Sequence, residues 1–227
     1  MSDSKPCFSE LHIIRVAEKM QEISRDYEQL FTDFGAQLLS EIERLDDIPE
    51  IMDLCIERTE QTLAVFQKHF PVSTVIACRK GCHHCCAFAV ECPPQVVLDI
   101  AHHIKSSMSQ EDQQLLRGKL ERNIAERKPP LNRAACPFLD TQHACSIYKK
   151  RPLACRSFSS PNAAVCAQSV TDGRNISQHP LLHRLYSAVT TALLRYAEQR
   201  GQYHEQVLFI PALLAALTTD KRPSNFT

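Results

Sequence analysis

The sequence predicts a mainly α protein, a helical domain that carries a cysteine-rich, loop-dominated metal-binding insert. Three observations predict it. Apolar residues recur at helical spacing toward both ends of the chain; the stretch from Lys128 to His179 shows repeated prolines and little regular period; and nine of the eleven cysteines fall from Cys78 to Cys166, eight of them, all but Cys92, in two clustered sets.

From about Ser9 to Leu45 the apolar positions Ile13, Ala17, Met20, Ile23, Tyr27, Leu30, Phe34, Leu38 and Ile42 alternate with charged ones, the pattern of one long amphipathic helix. Asp46-Asp47-Ile48-Pro49 interrupts it. Ile51, Leu54, Cys55, Leu63 and Phe66 then outline a second helix that Pro71 should end, and the two are expected to pair as an antiparallel hairpin. Val72 to Ala77 is β-branched and reads as extended. Pro93-Pro94 opens a third helix through Ile104, and Ser109-x-x-Asp112 resembles a capping box before a polar fourth helix to about Arg127. After an irregular segment the helical spacing returns with Leu182, Leu185, Ala188, Leu193 and Tyr196, and a final apolar helix is expected near 206–218. The expected organisation is an N-terminal helical hairpin over 1–71, a cysteine-cluster metal-binding region over 72–178, and C-terminal helices over 179–227 packing on the same domain.

Composition narrows the function. The 26 basic and 26 acidic residues balance, so no global field attracts nucleic acid or an anionic membrane, and neither is expected as a partner. The start of the chain lacks a basic stretch followed by an apolar run, and Val207 to Leu217 falls short of the ~20 residues a membrane-spanning helix needs. A chain of 227 residues can fold on its own apolar burial. These features point to the cytoplasm, where thiols stay reduced and clustered cysteines serve metals rather than bridges. No glycine-rich phosphate loop, G-x-S-x-G elbow or dinucleotide fingerprint occurs. The N-terminal helices are left open to a protein partner.

The segment C-R-K-G-C-H-H-C-C places four cysteines in nine positions, 78 to 86. On an ideal helix Cys78, Cys82, Cys85 and Cys86 would share one face, although Gly81 weakens that geometry. Cys136, Cys145, Cys155 and Cys166 follow about every ten residues. Eight thiols so arranged predict chelation of a metal ion, with zinc or an iron–sulfur cluster as the two cofactors that suit thiolates. Cys78, Cys82, Cys85, Cys86, Cys136, Cys145, Cys155 and Cys166 are the expected ligands. Cys7, Cys55 and Cys92 read as ordinary thiols, and His83 and His84 as lying beside the site. Arg151 and Arg156 are expected to offset thiolate charge, with Tyr148 and Phe158 packed around it.

The order C-x3-C-x2-C-C, then C-P-F-L at 136–139, C-S-I-Y at 145–148 and R-P-L-A-C-R-S-F at 151–158, resembles the YkgJ-type cysteine-cluster family of zinc- or iron-chelating domains. The resemblance covers residues 78–166 and implies metal chelation in a structural, redox or metal-handling role. An alternative is an iron–sulfur enzyme of protein modification. Flagellin lysine methylases carry a related cluster, and radical-SAM enzymes share the C-x3-C-x2-C spacing. Against these, His84 stands where radical-SAM enzymes usually carry an aromatic residue, repeated β/α units are missing, and no catalytic apparatus is evident beside the cysteines. The resemblance leaves the catalytic residues of such an enzyme unspecified.

Overall fold

The computed structural model describes residues 9–70 and 75–219. Helix α1 spans Glu10–Ile42 and begins where Ser9 accepts a hydrogen bond from the His12 backbone N–H at 3.3 Å. Helix α2 spans Ile48–His69. Asp47 caps it by accepting from the Glu50 N–H at 3.1 Å, and Pro49 lies in its first turn, where a missing N–H costs nothing. The residues expected to break the first helix therefore also start the second. Tyr27 meets Phe66, and Arg58 Nε donates to Glu41 Oε2 at 2.7 Å, so the two helices run antiparallel as expected.

Helix α1 nevertheless packs more extensively on a later element. Helix α7, Pro180–Gln199, lies along its second half. There Gly35 faces Ala188, and a Cβ at that position would stand in ordinary contact, 3.5 Å from the Ala188 carbonyl oxygen. Arg184 pairs with Glu28 nearby.

Helix α3 spans Pro94–Ser107 and α4 spans Gln110–Glu126. The Ser109 hydroxyl accepts from the Asp112 N–H at 3.1 Å, the N-cap half of the expected box, while the Asp112 carboxylate accepts from the Ser109 hydroxyl at 2.7 Å rather than from its backbone N–H. The final apolar segment divides: Val207–Leu208 forms strand β2, which pairs antiparallel with β1, Glu91–Cys92, before helix α8 runs from Phe209 to Thr218.

The expectation of loop and short turns over 128–179 needs correction. It contains helix α5, Leu153–Ser157, and a ten-residue helix α6, Ala163–Asp172. The signals for α6 are local ones: Asn162 Oδ1 accepts from the Val165 N–H at 3.1 Å, and Gly173 ends the helix at φ +74°. Of the stretch expected to be extended, residues 72–74 lie outside the described residues, and 75–77 have no regular structure.

One core joins these parts. Leu38 and Ile42 of α1, Ile51 of α2, Ile100 of α3, Leu193 of α7 and Leu213 of α8 are buried together. Phe138, Ile147 and Leu153 enter the same core from the insert, which is how a segment with so little helix is anchored to the helical frame.

Candidate metal centre

The cysteine segment is not an α-helix. Arg79–Cys82 forms a turn, with the Cys82 N–H donating to the Arg79 carbonyl at 2.9 Å, and Gly81 takes φ +86°, a conformation glycine adopts without a Cβ clash. A single 3-10 turn, His84–Ala87, then carries Cys85 and Cys86. The four thiols thus come from a turn and a tight coil rather than from one helical face. Cys78 is exposed, and Cys82, Cys85 and Cys86 are half-buried.

These thiols meet the later cysteines in two neighbourhoods. In the first, the Ser160 backbone N–H donates to Cys78 Sγ at 3.4 Å, while the Ala77 N–H donates to the Ser160 carbonyl at 2.9 Å. Cys166 projects from α6, buried, close enough that it, Cys82 and Cys85 all disfavour charge on Cys78. Burial is the largest influence raising the Cys78 thiol above its ordinary value, and the Ser160 amide opposes it.

The second neighbourhood holds Cys85, Cys86, Cys136, Cys145 and Cys155. Cys136 and Cys145 flank a compact loop. Asp140 Oδ1 accepts from the N–H groups of Gln142 and Ala144, both at 2.8 Å, and the Ser146 N–H donates to the Phe138 carbonyl at 2.8 Å. Burial pushes Cys136 up to about 11, against the backbone N–H of Phe138, which favours the thiolate. Cys145 is likewise raised by burial and opposed by the Ile147 N–H and by Arg151. Cys155, on α5, is pushed up to about 12 by burial and then by Cys136, Cys85 and Cys145. The Cys86 thiol donates to Cys85, which lowers Cys85 and raises Cys86.

Arginines frame this second group. Arg151 lies over the Tyr148 ring at 3.8 Å and acts on Cys145, Cys155 and Cys85. Its Nε and Nη1 are buried without a hydrogen-bond partner. Arg156 does not share that role: its Nε donates to the Arg151 carbonyl at 3.3 Å and its Nη2 to the Lys149 carbonyl, so it braces the backbone behind Arg151. Phe158 meets Phe88 edge-on at 5.7 Å, while Tyr148 is largely exposed beneath Arg151.

Several contributors escape a reading of the sequence. Arg127 donates to the carbonyls of Ala87, Phe88 and Asn132 at 3.2, 3.2 and 2.6 Å, tying the end of the first cysteine segment to α4. His143 stacks on His83 with ring centroids 3.9 Å apart, joining the two cysteine segments from outside. His84 lies 5.2 Å from His83. Neither Arg127 nor His143 stands in a pattern that foretells its partner, although the R-K-P-P punctuation marks where Arg127 leaves the helix.

The remaining cysteines differ from one another. Cys55 is fully buried on α2, and burial pushes it up to about 12. Cys92 is buried on β1, where burial and then Cys155 raise it, so it lies nearer the second group than its place in the sequence suggests. Cys7 lies outside the described residues. The ten described cysteines are all free thiols. Among the described residues, no three Cys, His, Asp or Glu side chains converge as a ready-made metal cage.

Residues 77–174 match the family model CxxCxxCC, described as "Putative zinc- or iron-chelating domain". This is the cysteine-cluster family that the motif order resembles. No curated protein and no solved structure matches the chain. No helix among the described residues is long and apolar enough to cross a membrane.

Proposed function

With residues 77–174 as a CxxCxxCC chelating domain, we propose that the protein binds zinc or an iron–sulfur cluster through thiolates drawn from both neighbourhoods. Cys78, Cys82 and Cys166 serve one group. Cys86, Cys136, Cys145 and Cys155 serve the other, and Cys85 stands between them. Side-chain rotation about these positions is the adjustment that coordination requires, since the sulfurs do not already form a cage.

The observation that carries this reading is the Arg151 guanidinium. Two of its buried N–H groups have no partner, beside the Cys145 and Cys155 thiols, which burial raises, and Cys85, which its hydrogen bond from Cys86 lowers to about 7. Buried N–H groups without an acceptor are costly, and ionised thiols beside them would supply one. A divalent ion held by four thiolates carries a double negative charge, and Arg151 with the backbone N–H groups of Phe138, Ile147 and Ser160 is placed to offset it. Such a group supplies a cross-link between segments and, if it is an iron–sulfur cluster, an electron carrier. The protein residues gather the sulfurs, neutralise their charge and shield the inner ones from oxidation.

Metal analysis with a visible spectrum of anaerobically purified protein tests the proposal. A colourless protein with stoichiometric zinc supports a structural or metal-handling role. Broad visible absorption with iron and sulfide supports electron transfer. Protein that folds and stays metal-free after growth and refolding with both metals overturns the proposal.

A further inference from the structure

Beside the first thiol neighbourhood, a cavity of about 280 Å³ opens between α1, α2 and the start of α7. The rings of Tyr27, Phe66 and Phe70 form one wall, and Ile76, Pro161 and Leu181 close it. The rings meet one another edge-on or tilted, with centroids 5.7 to 6.5 Å apart, so they form one continuous aromatic surface. A dry cavity of about 150 Å³ suffices for a benzene ring. This one has room for such a ring and a small substituent.

Its polar side has a definite sign. None of the ten described residues that line it is acidic. His179 lines it, and its Nδ1 is buried without a hydrogen-bond partner. His179 also stands at the N-terminus of the 20-residue helix α7 without capping it through its side chain, which leaves first-turn N–H groups at the cavity edge. An aromatic wall and an unpartnered imidazole nitrogen, with no carboxylate among the described lining residues, suit a planar ring bearing an acid that accepts from His179 in the tautomer that protonates Nδ1.

We propose that this cavity binds a small aromatic carboxylate, its ring against Tyr27, Phe66 and Phe70 and its carboxylate toward His179 and the first turn of α7. The site is separate from the thiols yet reaches them, because Pro161 follows Ser160, whose N–H holds Cys78.

The test titrates benzoate, benzamide and cyclohexanecarboxylate into isotope-labelled full-length protein as purified and follows the amide and aromatic signals. Benzoate is expected to shift the Leu181 and Leu182 amides and the Tyr27, Phe66 and Phe70 rings, and to bind at least about tenfold more tightly than either analogue. His179→Leu keeps the volume but removes a charge-assisted hydrogen bond, so it should weaken benzoate by about tenfold or more. Phe70, half-exposed, provides a second variant that spares the core: Phe70→Ala should reduce discrimination against cyclohexanecarboxylate. Equal binding of benzamide, benzoate affinity unchanged in His179→Leu, or shifts confined to other surfaces would overturn the assignment.

Discussion

The Ser160 N–H donates to the Cys78 sulfur at 3.4 Å across 82 residues of chain. This bond favours the thiolate over the thiol, so it strengthens when Cys78 is ionised. Metal removal is therefore expected to speed hydrogen exchange first at Ser160, then at Phe138 and Ile147, whose amides serve Cys136 and Cys145. Amides in α3 and α7 should change little, since apolar burial holds those helices. Hydrogen exchange before and after complete chelation checks this, and equal speeding across the whole chain would point to global rather than local loosening.

Replacing single thiols should separate ligands from bystanders. Cys85→Ser and Cys155→Ser are expected to lower bound metal strongly, because each exchanges a soft donor for a poor one. Cys55→Ser should keep full metal but lose about 1–3 kcal/mol, the cost of burying a hydroxyl on a fully buried helical face. Cys92→Ser should also keep its metal, although its position near Cys155 makes it the sharper control. Elemental analysis with urea denaturation of each variant reads both effects.

Lys150 holds the insert to the frame by donating to Asp53 of α2 at 2.7 Å and to Asp99 of α3 at 3.2 Å. Burial lifts Asp99 above the usual carboxylate range, and Lys150 opposes that lift. Burial disfavours the Lys150 charge, yet the two carboxylates together leave the lysine above its ordinary value. The signs follow. Lys150 contributes stability that is complete below the ordinary lysine range and disappears as pH rises through its raised folded value. Ionised Asp99 carries a desolvation cost, which vanishes as pH falls through its raised value. Lys150→Met should therefore cost about 3 kcal/mol at neutral pH by stranding a buried carboxylate. The cost should shrink in acid, and the added change Asp99→Asn should recover most of it. Denaturation across a pH series checks both limbs.

Arg127→Ala should destabilise by about 2–3 kcal/mol, because it leaves the carbonyls of Ala87, Phe88 and Asn132 without their shared donor. Arg127→Lys should recover only part, since an ammonium lacks the fork that reaches three oxygens. Urea midpoints of the two variants measure the difference.

The helical frame is readable because its information is local. Ser109 and Asp112 sit three residues apart and meet, and the apolar spacing of Leu38 and Ile42 continues directly into the core. The cysteine motif is readable for another reason: thiols are rare enough that eight in order stand out. What escapes is set by tertiary approach. Arg127 finds carbonyls 39 and 40 residues earlier in the chain, and no periodicity encodes that reach. Helix α6 escapes although Asn162 and Gly173 mark its ends, because its short apolar side is hidden in a stretch whose prolines suggest coil. Gly81 turns 78–86 away from a helix, an outcome its single side-chain hydrogen already hinted at.

The 82 residues separating Cys78 from Ser160 also impose an order in time. A ribosome adding about 5–20 residues per second needs roughly 4–16 s to make that stretch. During the interval the first four thiols have left the place of synthesis ahead of the segments that will shelter them. Whichever soft ion or oxidant meets the nascent chain then meets an incomplete donor set. The composition of the finished centre is thus open to kinetic competition as well as to affinity, and slowing elongation just after Cys86 would widen that opening.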